Sequence, residues 1–351
     1  MNSGVLRVLA AGPGVTIQDG GRRGFLRFGV TESGPMDRFS HATVNRAAGV
    51  ALDSAVIEVS LGGAELAVEG MPVTLSVAGG SFDIRLDDKK LPPECLVRMH
   101  AGQKFALRAG SSGAWCYVGI AGRFELQPTL GSVSMHTRSS IGGNGLHAGD
   151  AIRVISSEAP PQRSAAIIVS RSEVPQKDVR VVLGPQDDYF DAGEIAAFFN
   201  TTWRVSNRTD RMAYLLQGPP LRHATDFNIV SDGTAAGSIQ IPGDGRPIVL
   251  MADRPPTGGY PKIATVIGAD LGRLAQLRPG QGFRFEAVSI REAVLARRRQ
   301  IDLLEAPISL RPLRDFLQPT ALLSKNLVDG VTNGFNDVGE TNSAEPNEPK
   351  T

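Results

Sequence analysis

The chain has 351 residues, enough for two ordinary domains, and 41% of them are hydrophobic. Its 37 Lys and Arg residues almost balance its 36 Asp and Glu residues, so no overall field draws it to nucleic acid or an anionic membrane. The two cysteines, Cys95 and Cys116, lack the spacing of a zinc site, and no apolar run approaches the roughly 18 residues of a membrane span. We therefore expect a soluble, cytoplasmic protein that holds no metal.

Strand patterns dominate the chain. Residues 81–87 alternate apolar and polar side chains, which is typical of a strand with one buried face. A four-residue phrase with glycine in third place recurs at 100–103, 147–150 and 278–281, each time before a strand-like run. Because the last two copies close long β-rich segments, they indicate two similar domains.

Helical patterns are few. They predict helices at 35–48, 187–199 and 289–304. Residues 156–175 read as the connection between two halves, and the Asn-, Glu- and Pro-rich residues 329–351 predict a disordered tail. Since the helices do not alternate with the strands, the sequence favours an all-β fold of two barrel- or sandwich-like domains with a few short helices.

Residues 251–262, MADRPPTGGYPK, are the most informative segment. They follow the apolar run 247–250 and place charged, hydroxyl and phenol groups on a loop stiffened by three prolines. Lys262 could bind an anionic substrate or stabilise developing negative charge. Asp253 could act as a general base, or could neutralise Arg254 or Lys262.

Three further polar clusters lie on predicted loops. Residues 16–37 lead into the first helix, where backbone amides near Asp37 could face an anion, or Ser33 or Asp37 could simply cap the helix. Residues 131–143 form a hydroxyl- and glycine-rich loop that suits carboxylate or phosphate recognition, or is only a surface loop. Arg211 could clamp a carboxylate, or could form a structural network with its neighbour Asp210.

Common catalytic signatures are missing from this sequence. It contains no phosphate-binding GxxxxGK[ST] loop, no HExxH, no GxSxG elbow and no GxGxxG after a strand. Any nucleotide must therefore bind by other means.

The ordered motifs resemble those of the allophanate hydrolase subunit 2-like, or biotin-dependent carboxyltransferase-like, family, which includes the C-type subunit of 5-oxoprolinase. The chain also resembles the carboxyltransferase domain of urea carboxylase. The resemblance covers about residues 5–288. It is carried by residues 16–22, 33–37, 57–63, 131–134, 183–186, 210–212, 237–242 and 253–262.

The resemblance implies two cyclophilin-like β-barrel domains, which we expect at 1–160 and 176–300, followed by a C-terminal extension at 301–328. It implies a subunit that works with a subunit-1 (B-type) homologue and a homologue of the A-type subunit. Such a complex would use ATP with Mg²⁺ to activate 5-oxoproline for ring opening to glutamate. One alternative is a urea-type carboxyltransferase component that depends on biotin held elsewhere. Another is a non-catalytic regulator that binds a partner resembling a kinase inhibitor.

Some residues depart from the family pattern as we expect it. Ala213, Leu215 and Gln217 stand where Gly, Arg and Glu are usual, and Met135 and Gly20 stand for Thr and Leu. The missing Arg and Glu are either an exchanged structural ion pair or the mark of a different substrate.

The polar clusters together predict a site in which loops from both barrels converge on one oxygen-polarising pocket. We expect Lys262 and Arg211 to stabilise negative charge, with Asp253 and Asp37 as polar or metal-assisting catalytic groups. The predicted substrate-binding residues are Gln18, Arg22, Ser134, Gln240, Thr257, Gly258, Gly259 and Tyr260.

Overall fold

The computed structural model describes residues 3–156, 164–168 and 178–313. The chain divides into a compact unit, Met1–Arg311, and a second unit, Pro312–Thr351. Every site discussed below lies in the first unit. The predicted tail lies outside the described residues, as do most of the predicted connection and the end of the predicted extension.

The first sheet is built mainly from the N-terminal half and has twelve strands among the described residues. They are β1 (Ser3–Ala11), β2 (Thr16–Gln18), β3 (Val56–Val59), β4 (Ala64–Gly70), β5 (Val73–Leu86), β6 (Lys89–Leu91), β7 (Cys95–Met99), β8 (Lys104–Ile120), β9 (Gly122–Phe124), β10 (Ala151–Ser156), β11 (Ala165–Ile168) and β22 (Ser309–Pro312). The main path runs β22-β11-β7-β5-β8-β4-β1-β10-β9, while β2, β3 and β6 pair beside it. Strand β11 lies within the segment expected to be a plain connection.

The second sheet has eight strands in the order β20-β13-β14-β17-β16-β19-β12-β21. They are β12 (Val179–Leu183), β13 (Trp203–Val205), β14 (Ala213–Gln217), β16 (Ser238–Gln240), β17 (Ile248–Leu250), β19 (Lys262–Val266), β20 (Gly282–Phe283) and β21 (Phe285–Ala287). A separate two-stranded sheet pairs β15 (Asp232–Gly233) with β18 (Thr257–Gly258). The predicted all-β fold with two barrel-like sheets is therefore confirmed.

The described residues form four α-helices, α1 (Arg38–Ala47), α2 (Ala192–Asn200), α3 (Leu271–Ala275) and α4 (Ile290–Glu305). Three were predicted, with starts one to five residues too early, and α3 was missed because five residues carry too little periodicity. Helix α4 begins with a capping box, in which Ser289 and Glu292 satisfy each other's backbone amides. None of these helices is long and apolar enough to cross a membrane.

The recurring glycine phrase folds identically in all three places. Gly102, Gly149 and Gly280 have φ values of 85°, 98° and 85°, where a side chain would be strained. In each turn the first residue's N–H donates to the side-chain oxygen of the fourth residue, and the fourth residue's N–H donates to the first carbonyl, at 2.7–3.1 Å. Each copy of this four-residue sequence therefore forms the same turn, which leads the chain into the next strand.

Side chains from both sheets share one buried apolar cluster. Trp115 and Tyr117 of β8 belong to it, together with Trp203 and Tyr214 of the second sheet. Gln276, which ends α3, reaches into the first half: its Oε1 accepts from the amides of Ala114 and Trp115, and its Nε2 donates to Asp37. This packing holds the inner surfaces of the two sheets at a fixed distance.

Candidate active site

A cleft of about 1010 Å³ opens between the two sheets. One wall comes from the first half, with Trp115, Thr137 and Arg138, and the other from residues 209–212, Tyr214 and Asp253. Its volume suits a small-molecule ligand, and its lining mixes apolar surface with a few polar groups, as binding sites usually do.

Arg211 forms the polar floor of this cleft. Its Nε and Nη2 donate to both carboxylate oxygens of Asp253, at 2.8 and 2.9 Å, and its Nη1 donates to Glu58. Nη2 also donates to the Gly34 carbonyl at 2.8 Å. These bonds engage four of the five N–H donors of the guanidinium, which leaves one on Nη1. Arg211 therefore ties β3 of the first sheet to the loop after β17.

The partners of Arg211 settle two alternatives left open by the sequence. Asp253 neutralises Arg211 rather than Arg254 or Lys262. Asp210 does not pair with Arg211, because its Oδ1 accepts from the backbone amides of Met212 and Ala213 and so shapes the turn before β14.

Glu58 is the fully buried member of this network. Its Oε2 accepts from the Met36 amide at 2.8 Å, and the hydroxyl of Tyr117 also bonds to its carboxylate. Burial raises the pKa of Glu58, and Arg211 with these hydrogen bonds offsets only part of that effect. Burial would lower the pKa of Arg211, but Asp253 and Glu58 outweigh it and raise that pKa, so the guanidinium stays charged.

Further polar groups line the cleft above Arg211. Thr209 Oγ1 is buried and has no hydrogen-bond partner among the described residues. Arg138 is exposed at the rim, and its Nη1 lies 2.6 Å from the sulfur of Met212. Together with the remaining Nη1 donor of Arg211, these groups can bind an anionic or carbonyl oxygen.

Asp37 caps helix α1. Its Oδ1 accepts from the amides of Phe39 and Ser40, and its Oδ2 accepts from the Ser40 hydroxyl and from Gln276. The capping alternative is therefore the one that the geometry supports. Asp37 is not among the residues that line the cleft.

Gln18, Arg22 and Ser134 form a buried network of their own. Gln18 bonds to the carbonyl of Met135 and accepts from the amide of Gly34, and Arg22 donates to the Ser134 carbonyl at 2.8 Å. The hydroxyl of Ser134 donates to Asp19 at 2.7 Å. These bonds fold the loop at 131–143 against β2, and none of the three predicted residues lines the cleft.

Lys262 lies in a different cluster. Its side chain is only 3% exposed, and its Nζ donates to Asp232 at 2.7 Å. Gln186 accepts from the Lys262 amide and holds its own amide 3.5 Å from the same Asp232 oxygen. Gln240 is the register partner of Lys262, and its buried Nε2 has no hydrogen-bond partner among the described residues.

The predicted loop 257–260 borders this second cluster. Thr257 and Gly258 form β18, opposite Asp232 and Gly233. A Cβ on Gly258 would lie 2.2 Å from the Gln240 amide, so the glycine is needed for this close approach. Gly259 accepts from the Ile229 amide at 2.9 Å, and Tyr260 is 38% exposed.

The structure does not bring Arg211 and Lys262 together. Ala213, just after Arg211, pairs with Leu250 at the end of β17, whereas Lys262 pairs with Gln240, which faces Ile248 at the start of β17. The two cations therefore lie at opposite ends of the strands of the second sheet, and Lys262 does not line the cleft. The expected convergence of both on one pocket does not describe this molecule.

Several residues of the cleft and of the neighbouring polar networks had no role predicted from the sequence. Glu58 lies in a strand whose four residues are all buried, and an acid within such an apolar run was the available hint. Trp115 and Tyr214 read simply as core aromatics. Asp232 could not be found, because its partner Lys262 lies 30 residues away across a two-residue strand pair.

The departures at Ala213, Leu215 and Gln217 lie on one face of β14. Their neighbours Tyr214 and Leu216 point into the core, while these three are half-buried or exposed, and none of them lines the cleft. The missing Arg and Glu therefore fit an exchanged surface pair better than a rebuilt substrate site.

Residues 28–287 match the family model "Carboxyltransferase domain, subdomain A and B". The chain belongs to this carboxyltransferase-domain family. It is 33% identical to the C subunit of 5-oxoprolinase from Escherichia coli (strain K12), over 84% of this chain and 95% of that protein. Identity to the C subunit of 5-oxoprolinase from Haemophilus influenzae is 36%, over 81% of this chain and 91% of that protein.

Two solved structures share the fold of this chain. The K. lactis urea amidolyase superposes with a TM-score of 0.79 at 28% identity, covering 86% of this chain but 20% of that one. A crystal structure of TTHA0988 matches with a TM-score of 0.72 at 30% identity, covering 81% of this chain. The present chain spans about half of that solved chain, since the match covers 55% of it.

Proposed function

We propose that this chain is the C-type subunit of an ATP-dependent 5-oxoprolinase and that its cleft binds the lactam acid. The observation that carries the proposal is the near full-length similarity to the C subunits of two 5-oxoprolinases, of which the matches cover 95% and 91%. Because a protein named as a subunit works within a complex, we expect subunit-1 (B-type) and A-type homologues as its partners.

The cleft supplies chemistry that suits 5-oxoproline, which carries one carboxylate and one lactam oxygen. Arg138 at the rim can bind the carboxylate with its planar fork. Thr209 and the remaining Arg211 donor lie on the floor, where they can hydrogen-bond the lactam oxygen as negative charge develops on it. Glu58 and Asp253 keep the guanidinium of Arg211 fixed during this step.

The lining of the cleft supplies little positive charge for ATP. Besides Arg211, which is already paired with carboxylates, the basic side chains that line the cleft are Arg138 and His147. Two basic side chains are few for the charge of a triphosphate. We therefore propose that ATP binds to the assembled complex. The chemistry proposed for the cleft does not involve ATP.

The test is 5-oxoproline-dependent ATP turnover by the complex reconstituted from the three subunits. Arg138→Gln should raise KM for 5-oxoproline about tenfold or more, because a charge-assisted bidentate contact is lost. Arg108→Gln is the matched control, since Arg108 is exposed, pairs with Glu65 and does not line the cleft. Equal KM values for the two variants would remove Arg138 from the site.

A urea-type carboxyltransferase is the second candidate. The family model and the 28% identity to the K. lactis urea amidolyase favour it. It predicts that the chain transfers a carboxyl group from a biotinylated partner to an amide and needs no 5-oxoproline. Avidin-sensitive carboxylation of urea by the complex, with no 5-oxoproline turnover, would establish this candidate and reject the first. Tight partner binding without either activity would indicate a regulator.

A further inference from the structure

A second cavity, of about 210 Å³, lies between α1 and α4 and shares no lining residue with the cleft. Three arginines line it: Arg23 before α1, Arg38 on α1 and Arg297 on α4. Two carboxylates, Asp53 and Glu305, also line it, so positive charge exceeds negative charge in the wall. None of the roles proposed above uses this cavity.

The arginines have few counter-charges: Arg297 Nη1 donates to the uncharged side chain of Gln300. Arg38 is half-buried, and its guanidinium forms no hydrogen bond or ion pair with any residue in the described part of the chain. Burial lowers the pKa of Arg38, and repulsion from Arg23 and Arg297 lowers it further, against attraction from Glu32 and Asp53. Arg23 meets Asp53 only at 4.0 Å, where both side chains are well exposed. A partly buried guanidinium without a close counter-ion is costly unless a ligand supplies one.

A buried histidine adds an independent observation. His41 lines the cavity, is 2% exposed, and its Nε2 has no hydrogen-bond partner among the described residues. Burial lowers its pKa to about 4, so the imidazole is neutral at pH 7. The unprotonated nitrogen of a neutral imidazole can accept a hydrogen bond from a protonated oxygen of a ligand.

We propose that this cavity is a binding site for a phosphate group, held by Arg38 and Arg297 with Arg23 at the rim. A planar guanidinium binds two phosphate oxygens at once, and two of them facing one cavity match a tetrahedral dianion better than a flat carboxylate. A volume of about 210 Å³ takes inorganic phosphate or a small phosphate ester but is below the usual size of a nucleotide site. The site is distinct from the proposed substrate cleft.

The test is a calorimetric titration of the full-length chain with inorganic phosphate at constant ionic strength. Wild type should bind one phosphate. Arg38→Gln and Arg297→Gln should each raise the Kd for phosphate about tenfold or more. Arg298→Gln is the matched control: Arg298 is the exposed neighbour on the same helix and does not line the cavity. Its Kd should equal that of wild type.

The same titration separates the alternatives. Absence of phosphate binding by wild type would overturn the proposal, as would one Kd shared by Arg38→Gln, Arg297→Gln and Arg298→Gln. Acetate or succinate binding more tightly than phosphate would overturn the assignment of ligand class. Because two independent variants are tested, misfolding of one leaves the other to decide. None of these outcomes depends on 5-oxoproline turnover.

Discussion

The indole Nε1 of Trp115 donates to the hydroxyl of Tyr214 at 3.1 Å, joining the two sheets across the cleft. The Tyr214 hydroxyl donates in turn to the Ala275 carbonyl at 2.6 Å. Both aromatic side chains are buried, and both line the cleft. This chain of hydrogen bonds sets the width of the cleft.

Tyr214→Phe should therefore lower the free energy of unfolding by about 1–3 kcal/mol, because it leaves a buried N–H and a buried carbonyl without partners. Urea unfolding measures the change. Tyr260→Phe is the matched control, since Tyr260 is partly exposed and no hydrogen bond of its hydroxyl is lost. If both variants unfold at the same urea concentration, the Trp115–Tyr214 bond does not hold the sheets.

Arg211→Ala should cost about 3–5 kcal/mol, because it leaves the carboxylates of Glu58 and Asp253 buried without their cation. Arg211→Ala combined with Asp253→Ala should cost much less than the sum of the two single changes. A double-mutant cycle in urea gives the coupling energy directly. Costs that add to within about 0.5 kcal/mol would show that the pair is not coupled.

Asp232→Asn tests the prediction that Lys262 binds a substrate anion. The Asp232 carboxylate pairs with the Lys262 ammonium group, and because Lys262 does not line the cleft, freeing it should leave KM for 5-oxoproline in the reconstituted complex unchanged. Asp226→Asn is the control, because Asp226 bonds only to the nearby Asn228 amide and no described contact links it to Lys262. A lowered KM in Asp232→Asn would place Lys262 in the substrate site and contradict the assignment of the cleft.

Asp270 should contribute a pH-dependent part of the stability. Burial alone would raise its pKa, but hydrogen bonds from Arg180, including Nη2 at 2.7 Å, outweigh this and leave the pKa lowered. Its stabilisation is therefore complete above the ordinary value of 3.8 and is lost as the pH falls through the lowered pKa. Asp270→Asn should cost about 3 kcal/mol at pH 7, and the difference from wild type should shrink at acid pH.

Unfolding of Asp270→Asn and wild type in urea from pH 2 to pH 7 measures that difference. Asp87→Asn is a suitable control for the general effect of losing one carboxylate, since Asp87 lies in an exposed turn. A gap between Asp270→Asn and wild type that stays constant down to pH 2 would contradict the account.

Local patterns predicted the fold well, because each depends on neighbouring residues. The alternation at 81–87 and the glycine turns were read correctly from a few positions. Asp37 shows what local patterns cannot decide. The same residue before a helix is compatible with a helix cap and with an anion site, and only the hydrogen bonds of the folded chain distinguish the two.

Long-range partners could not be predicted in the same way. The bond between Glu58 and Arg211 spans 153 residues, and no local pattern encodes it. The expectation that Arg211 and Lys262 share a pocket failed for a related reason, since strand register decides the end of the sheet at which each residue lies. Of the twelve predicted site residues, Arg211 and Asp253 line the cleft.

The central claim is that the cleft between the sheets is the substrate site of a 5-oxoprolinase subunit. The direct measurement is 5-oxoproline-dependent ATP hydrolysis by the reconstituted complex carrying Thr137→Trp, which fills the cleft from an exposed wall position, or Thr202→Trp, an exposed position outside it. We predict that Thr137→Trp abolishes turnover while Thr202→Trp retains it. Full turnover by Thr137→Trp would contradict the account.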